Sequence, residues 1–166
     1  SVGYDAFATI QAGVDAVAAG GTVHVEAGTY AESPAVGKSL TLDGSSHAAT
    51  LVGSVGVNAA NVTVNGLTLT NPTGTEAVRL NGVGNVQITN NDIHDVGGTG
   101  STVNATGAVQ AIYIRAGTSD VNGSVVSGNT ISHGRSSGAG SGKSIKAIFV
   151  GDSNGANNVG VTITGN

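Results

Sequence analysis

The chain has no cysteine, methionine or tryptophan, and aromatic residues make up only 3% of its 166 positions. Without cysteine there is neither a disulfide framework nor a thiolate metal site. With so few aromatics, a core has to be assembled from many small aliphatic layers. Charge is scarce as well: Lys and Arg total 6 against 10 Asp and Glu, for a net charge of −4. That balance offers no basic surface for a nucleic-acid backbone. No apolar run approaches the roughly 20 residues of a membrane span. No basic stretch followed by an apolar one marks the start, so the chain, opening on Ser1, reads as a mature or excised segment.

Glycine is abundant, at 28 residues against 2 prolines, and the hydrophobic 39% is mostly Val, Ile, Leu and Ala. This mixture favours short β-branched strands joined by turns, within a single domain. Low charge, richness in Thr, Asn and Ser, and the lack of thiols fit a secreted or cell-surface location. Of the three N-x-S/T sequons, at Asn61, Asn104 and Asn122, none is expected to carry meaning in a chain this rich in Asn and Thr.

The first twenty residues differ from the rest. Phe7, Ile10, Val14 and Val17 fall on one face at helical spacing, with Asp5 placed to cap the start and Gly20 and Gly21 to end it. Residues 1–21 are therefore expected to form an amphipathic capping helix, laid on the open end of stacked strands that occupy residues 22–166.

Those strands repeat. Residues 64–69 (VNGLTL), 88–93 (ITNNDI), 126–131 (VSGNTI) and 163–166 (ITGN) align, with 42–44 (LDG) as a degenerate earlier copy. The pattern reads as strand, sharp corner, strand. Gly and Asn suit the left-handed backbone that such a corner needs. Asn91, Asn129 and Asn166 should stack in a ladder, broken at Leu67. A second repeated strand, 77–80 (AVRL), 111–114 (AIYI) and 147–150 (AIFV), with 54–57 (SVGV) before it, sends Val55/Val57, Val78/Leu80, Ile112/Ile114 and Ile148/Val150 inward. The fold class is thus all-β: a right-handed single-stranded parallel β-helix, or solenoid, with an N-terminal helix. It stops in mid-repeat without a C-terminal cap, which points to the first part of a longer chain or to copies stacked head to tail.

Residues 23–30 (VHVEAGTY), preceded by the Phe7–Ile10 segment and followed by 40–44 (LTLDG), resemble the opening of pectate-lyase-like right-handed parallel β-helix proteins. The resemblance covers nearly the whole chain. It implies the fold and, within a superfamily of lyases, epimerases, glycoside hydrolases, tailspikes and adhesins, no one activity. It also implies a substrate groove along a strand face.

On the second repeated strand the outward columns are Glu76/Gln110/Lys146, Arg79/Tyr113/Phe149 and Asn81/Arg115/Gly151. Two long connections, 93–112 and 131–148, carry His94, Asp95, His133, Arg135 and Lys143 beside them. As a carbohydrate-contacting face, Tyr113 and Phe149 are stacking platforms, Gln110 lies beside them, and Arg79, Arg115 and Lys146 meet acidic sugar groups. As a plain exposed sheet, the same residues are a protective aromatic ladder with solvated charges, and this is the favoured reading.

Catalysis is harder to assemble. A glycosidase needs two facing carboxyl groups, and Glu76 has no evident partner. The resemblance to the lyases implies a base, Arg115 or Lys146, and calcium, for which Asp92, Asp95 and Asp120 are the acids at hand. His94, Asp95 and His133, on equivalent positions of successive coils, suggest a metal, though strand ends facing solvent often carry such residues. Residues 152–157 (DSNGAN) make a poor calcium loop, with a single carboxylate. An ice-binding Thr array is not sustained beyond Thr63, Thr68, Thr70 and Thr89. The sequence therefore favours a structural or adhesive domain, self-assembling or in contact with polysaccharide. A polysaccharide lyase, epimerase or hydrolase is the alternative.

Overall fold

A computed structural model describes residues 6–116, 121–137, 144–152 and 160–166. Asp5, Asp120, Lys143 and the 153–157 part of the calcium-loop segment lie outside the described residues.

The described chain is all-β apart from one helix of seven residues, Ile10–Ala16. Its strands build three parallel sheets. The first holds six strands, Thr22–His24, Leu40–Asp43, Val62–Asn65, Gln87–Thr89, Val125–Ser127 and Thr162–Thr164. The second holds Gly28–Tyr30, Ala49–Val52, Thr68–Thr70, Asp92–His94 and Thr130–Ile131. The third holds Ala35–Val36, Val55–Val57, Glu76–Asn81, Val109–Ala116 and Ile145–Asp152. The chain visits the sheets in turn, so each strand pairs with its counterpart one coil earlier and one coil later, a β-helix-like stack. Since β-strand spacing is about 4.8 Å, each coil adds about that much to its length.

Alternation supplies the core. Leu40, Leu42, Val62, Val64, Ile88 and Val126 point inward from the first sheet, and Leu51, Leu69 and Ile93 from the second. From the third come Val55, Val57, Val78, Leu80, Ile112 and Ile114, all at 0% exposure. Ile148 and Val150 continue the same columns but are only partly buried. Alternation slips in the third sheet, where Ala77 and Val78, and again Ala111 and Ile112, are consecutive buried residues. The side chains just before and just after the slip, Gln110 and Tyr113 for example, therefore both face outward, bringing residues three apart onto one surface.

The corner between the first and second sheets follows from residue chemistry. Gly66, Asn90, Gly128 and Gly165 take the left-handed conformation (φ 53 to 66°), and the next residue turns its side chain into the corner. At Asn91 and Asn129 that side chain is an amide. The backbone N–H and Nδ2 of Asn91 both donate to Asn129 Oδ1 at 3.0 Å, and those of Asn129 donate to Asn166 Oδ1 at 3.1 and 2.8 Å. Leu67, fully buried, ends the column, its N–H donating to Asn91 Oδ1 at 3.0 Å. The earlier corner is irregular: Ser45, Ser46 and His47 are all left-handed, and the His47 N–H donates to Gly66 O.

The helix begins later than its apolar spacing suggests. Thr9 caps it, its hydroxyl accepting from Ala12 N, and it ends at Ala16, before the two glycines. The buried stripe is Ile10, Gly13 and Val14, while Phe7 precedes the helix and stays 45% exposed. Gly13 lets the helix lie close to the first strand: a Cβ there would crowd Val23 Cγ1 at 3.0 Å.

Candidate functional site

Strand register in the third sheet aligns the outward columns as the sequence pattern suggests. Gln110 pairs with Glu76 and Lys146, Tyr113 with Arg79 and Phe149, and Arg115 with Asn81 and Gly151. Gly56 precedes Arg79 in the same column.

The side chains close on one another. The Tyr113 and Phe149 rings stack with centroids 5.4 Å apart and planes 27° from parallel. The Arg79 guanidinium lies over the Tyr113 ring, 5.5 Å from its centroid, and Lys146 Nζ lies 3.7 Å from the centroid of Phe149. Glu76 Oε2 is 3.5 Å from Arg79 Nη1. The slip in alternation permits this, because it puts Glu76 beside Arg79 and Lys146 beside Phe149 on one face. Gly151 contributes space: a Cβ there would fall 2.5 Å from Phe149 Cζ. Tyr113 thus has a cation over its ring and Phe149 stacked on it, which leaves its edge and hydroxyl as the outward parts. Such cation–π and aromatic contacts are each worth about 0.5–1.5 kcal/mol at partly exposed sites.

The described parts of the two long connections pack on one another. Gly98–Thr99 and Thr102–Val103 pair as a small antiparallel hairpin. Arg135 N donates to Val96 O, Ser137 N to Ala105 O and Ser136 Oγ to Gly107 O, so the later connection lies against the earlier one. Asn104 Nδ2 donates to Pro72 O, joining the earlier connection to the preceding coil.

His94 and Asp95 stand beside Ser132 and His133. Asp92 pairs with Thr130 and Ile93 with Ile131, and Ser132 N donates to Ile93 O. Asp95 and His133 share a left-handed backbone, at φ 53° and 51°. Each coil satisfies its own histidine: His94 Nδ1 is 2.9 Å from Asp95 Oδ2, and His133 Nδ1 is 3.3 Å from Ser132 Oγ. Among the described residues no group of three or more His, Asp or Glu is placed to hold a metal ion. The suggested set of His94, Asp95 and His133 therefore does not come together as a ligand sphere. Asp92, proposed as a calcium acid, faces outward on the second sheet.

Sequence reasoning missed a polar ladder on the outside of the first sheet. His24 Nδ1 lies 3.4 Å from Asp43 Oδ2, Asn65 Nδ2 donates to Asp43 Oδ1 at 3.0 Å, and Thr89 Oγ1 donates to Asn65 Oδ1 at 3.0 Å. The aligned repeats place Asp43, Asn65 and Thr89 at one position, so the signal was available. Threonine columns also exist, Thr22–Thr41–Thr63 and Thr29–Thr50–Thr68, but Gln87 and Asp92 interrupt them in the next coil.

Comparison with known proteins finds no matching family model, no matching curated protein and no matching solved structure. What stands is an all-β arrangement of stacked parallel sheets. No helix among the described residues is long and apolar enough to cross a membrane.

Proposed function

We propose that the chain is a right-handed parallel β-helix domain, pectate-lyase-like in its capped first coil, that serves as a secreted or cell-surface scaffold with a structural or adhesive role. The observation carrying this reading is that the ladder on the third sheet closes on itself. Arg79 covers Tyr113, Tyr113 stacks on Phe149, Lys146 covers Phe149, and Glu76 is engaged by Arg79. A platform for sugar stacking needs an open ring face, and a glycosidase needs free, facing carboxyl groups. Here both kinds of group are spent on their neighbours. Scarce charge and the absence of thiols support the extracellular setting.

A polysaccharide-contacting role for the same face is favoured by one further observation. Arg79, Arg115 and Lys146, three of the six Lys and Arg residues in a chain of net charge −4, lie on this single strand face, with Glu76 as the one acid among the described side chains there. Contact there would be ionic and edge-on, with no stacking on ring faces.

Incubation with a panel of neutral and acidic polysaccharides, with and without calcium, tests both readings. Unsaturated-uronate absorbance and reducing ends report turnover, and sedimentation reports binding. The scaffold reading expects no turnover on any member. Turnover that disappears in Arg115→Ala or Lys146→Ala would establish the lyase alternative instead.

A further inference from the structure

The helix Ile10–Ala16 is attached to the first coil by polar contacts that all fall on one short stretch, residues 32–38. Both Glu32 oxygens accept from the helix start, Oε1 from Ile10 N at 2.8 Å and Oε2 from Gln11 N at 2.9 Å. At the other end, Lys38 Nζ donates to Asp15 O and Val17 O, each at 2.8 Å. An acid at the N-terminus and a base at the C-terminus both match the helix dipole.

Between them lies the informative contact. Ala35 belongs to the first strand of the third sheet, whose other side pairs with Val55–Val57. On its open side, Ala35 N–H donates to Gln11 Oε1 at 2.8 Å, and Gln11 Nε2 points back to Ala35 O at 3.4 Å. A primary amide offers an acceptor oxygen and two N–H donors, so Gln11 can meet both groups of a peptide edge while its Nε2 also donates to Asp15 Oδ1 at 2.8 Å. Gln11 therefore occupies the place a neighbouring strand would take on this edge. Apolar packing holds the helix on one side only: a cleft of about 440 Å³ remains, lined by Phe7, Ile10, Gly13, Val17, Val23 and Tyr30, among others.

We propose that Gln11, Glu32 and Lys38 form a latch that keeps the helix on the third-sheet edge and so prevents that edge from pairing with a second copy of the chain. An unpaired parallel-sheet edge is a template for strand addition. With the latch closed, the Ala35 N–H and C=O are taken. When it opens, they are offered to the next molecule.

The test compares full-length wild type with Gln11→Leu, which keeps a helix-forming side chain but removes the amide, and with the double variant Gln11→Leu/Ala35→Pro. The proline substitution deletes the outward N–H while leaving the side that pairs with Val55–Val57. Molar mass by light scattering is followed across a concentration series, alongside circular dichroism. Wild type is expected to hold one mass throughout. Gln11→Leu should keep its β signal and rise in mean mass by about two-fold or more over the series, as mass action requires for edge pairing. The double variant should return to constant mass. Three outcomes would overturn the proposal: a wild type that itself grows, a Gln11→Leu that stays at one mass, or growth that persists in the double variant.

Discussion

The molecule carries two ladders that run across the same coils and differ in what surrounds them. Asn91 and Asn129 are buried at 1% and 2% exposure, and every amide there bonds to the next coil or to a nearby carbonyl. Arg79, Tyr113 and Phe149 face outward, where water competes for the guanidinium end and the tyrosine hydroxyl, although Arg79 Nε is itself covered and makes no hydrogen bond. The inner ladder is constrained because a buried amide without partners costs about 1–3 kcal/mol, so each asparagine obliges the next coil to answer it. The outer ladder has no such obligation. It is held by contacts that water and side-chain entropy partly offset, and its removal should leave the coils in place.

The sharpest way to break the comparison is Asn129→Ala. It removes the acceptor shared by the buried Asn91 N–H and Nδ2, and the donor to the Ile88 carbonyl, and denaturant unfolding should show a loss of about 2–4 kcal/mol. Gly128→Ala comes next. Its φ of +65° disfavours any Cβ, which would also sit 2.6 Å from Asn90 Oδ1, so a loss of about 1–3 kcal/mol is expected from the same measurement. On the outer ladder, a double-mutant cycle between Tyr113→Ala and Phe149→Ala should return a coupling of about 0.5–1.5 kcal/mol. A coupling near that of Asn91 with Asn129 would erase the distinction. The smallest effect belongs to Glu76→Gln: the Arg79 side chain is 37% exposed, so loss of the ion pair should change unfolding by less than about 0.5 kcal/mol.

The two ladders were also unequally legible in the sequence. The corner repeat gave away Asn91, Asn129 and Asn166, because an αL glycine or asparagine followed by asparagine recurs with apolar residues on both sides. Register in the third sheet was legible for the same reason: the Ala-apolar-x-apolar strands align without gaps and carry Arg79, Tyr113 and Phe149 with them. That the cations lie over the rings depends on rotamers and on the slip after Ala77 and Ala111, which no alignment of letters contains.

The latch was hidden more deeply. Gln11, Glu32 and Lys38 belong to no repeat, and each acts on backbone more than twenty residues away. Helical spacing placed a helix here with Ile10 and Val14 buried and Val17 packed beside them, while adding Phe7, which stays exposed, and Asp5 for its start, where the structure uses Thr9. The two long connections were visible as excess length, and their mutual packing through backbone groups such as Arg135 N and Val96 O was not.

Native-state hydrogen exchange at the Asn91 and Asn129 backbone amides, in wild type and in Tyr113→Ala, tests most directly the claim that the inner ladder holds the coils and the outer one does not. Both amides should exchange only through global unfolding, as slowly as the core strand amides of Leu42 and Ile88. In Tyr113→Ala they should stay level with those strands. Exchange at the rate of an open turn in wild type, or protection lost at the corner alone in Tyr113→Ala, would contradict it.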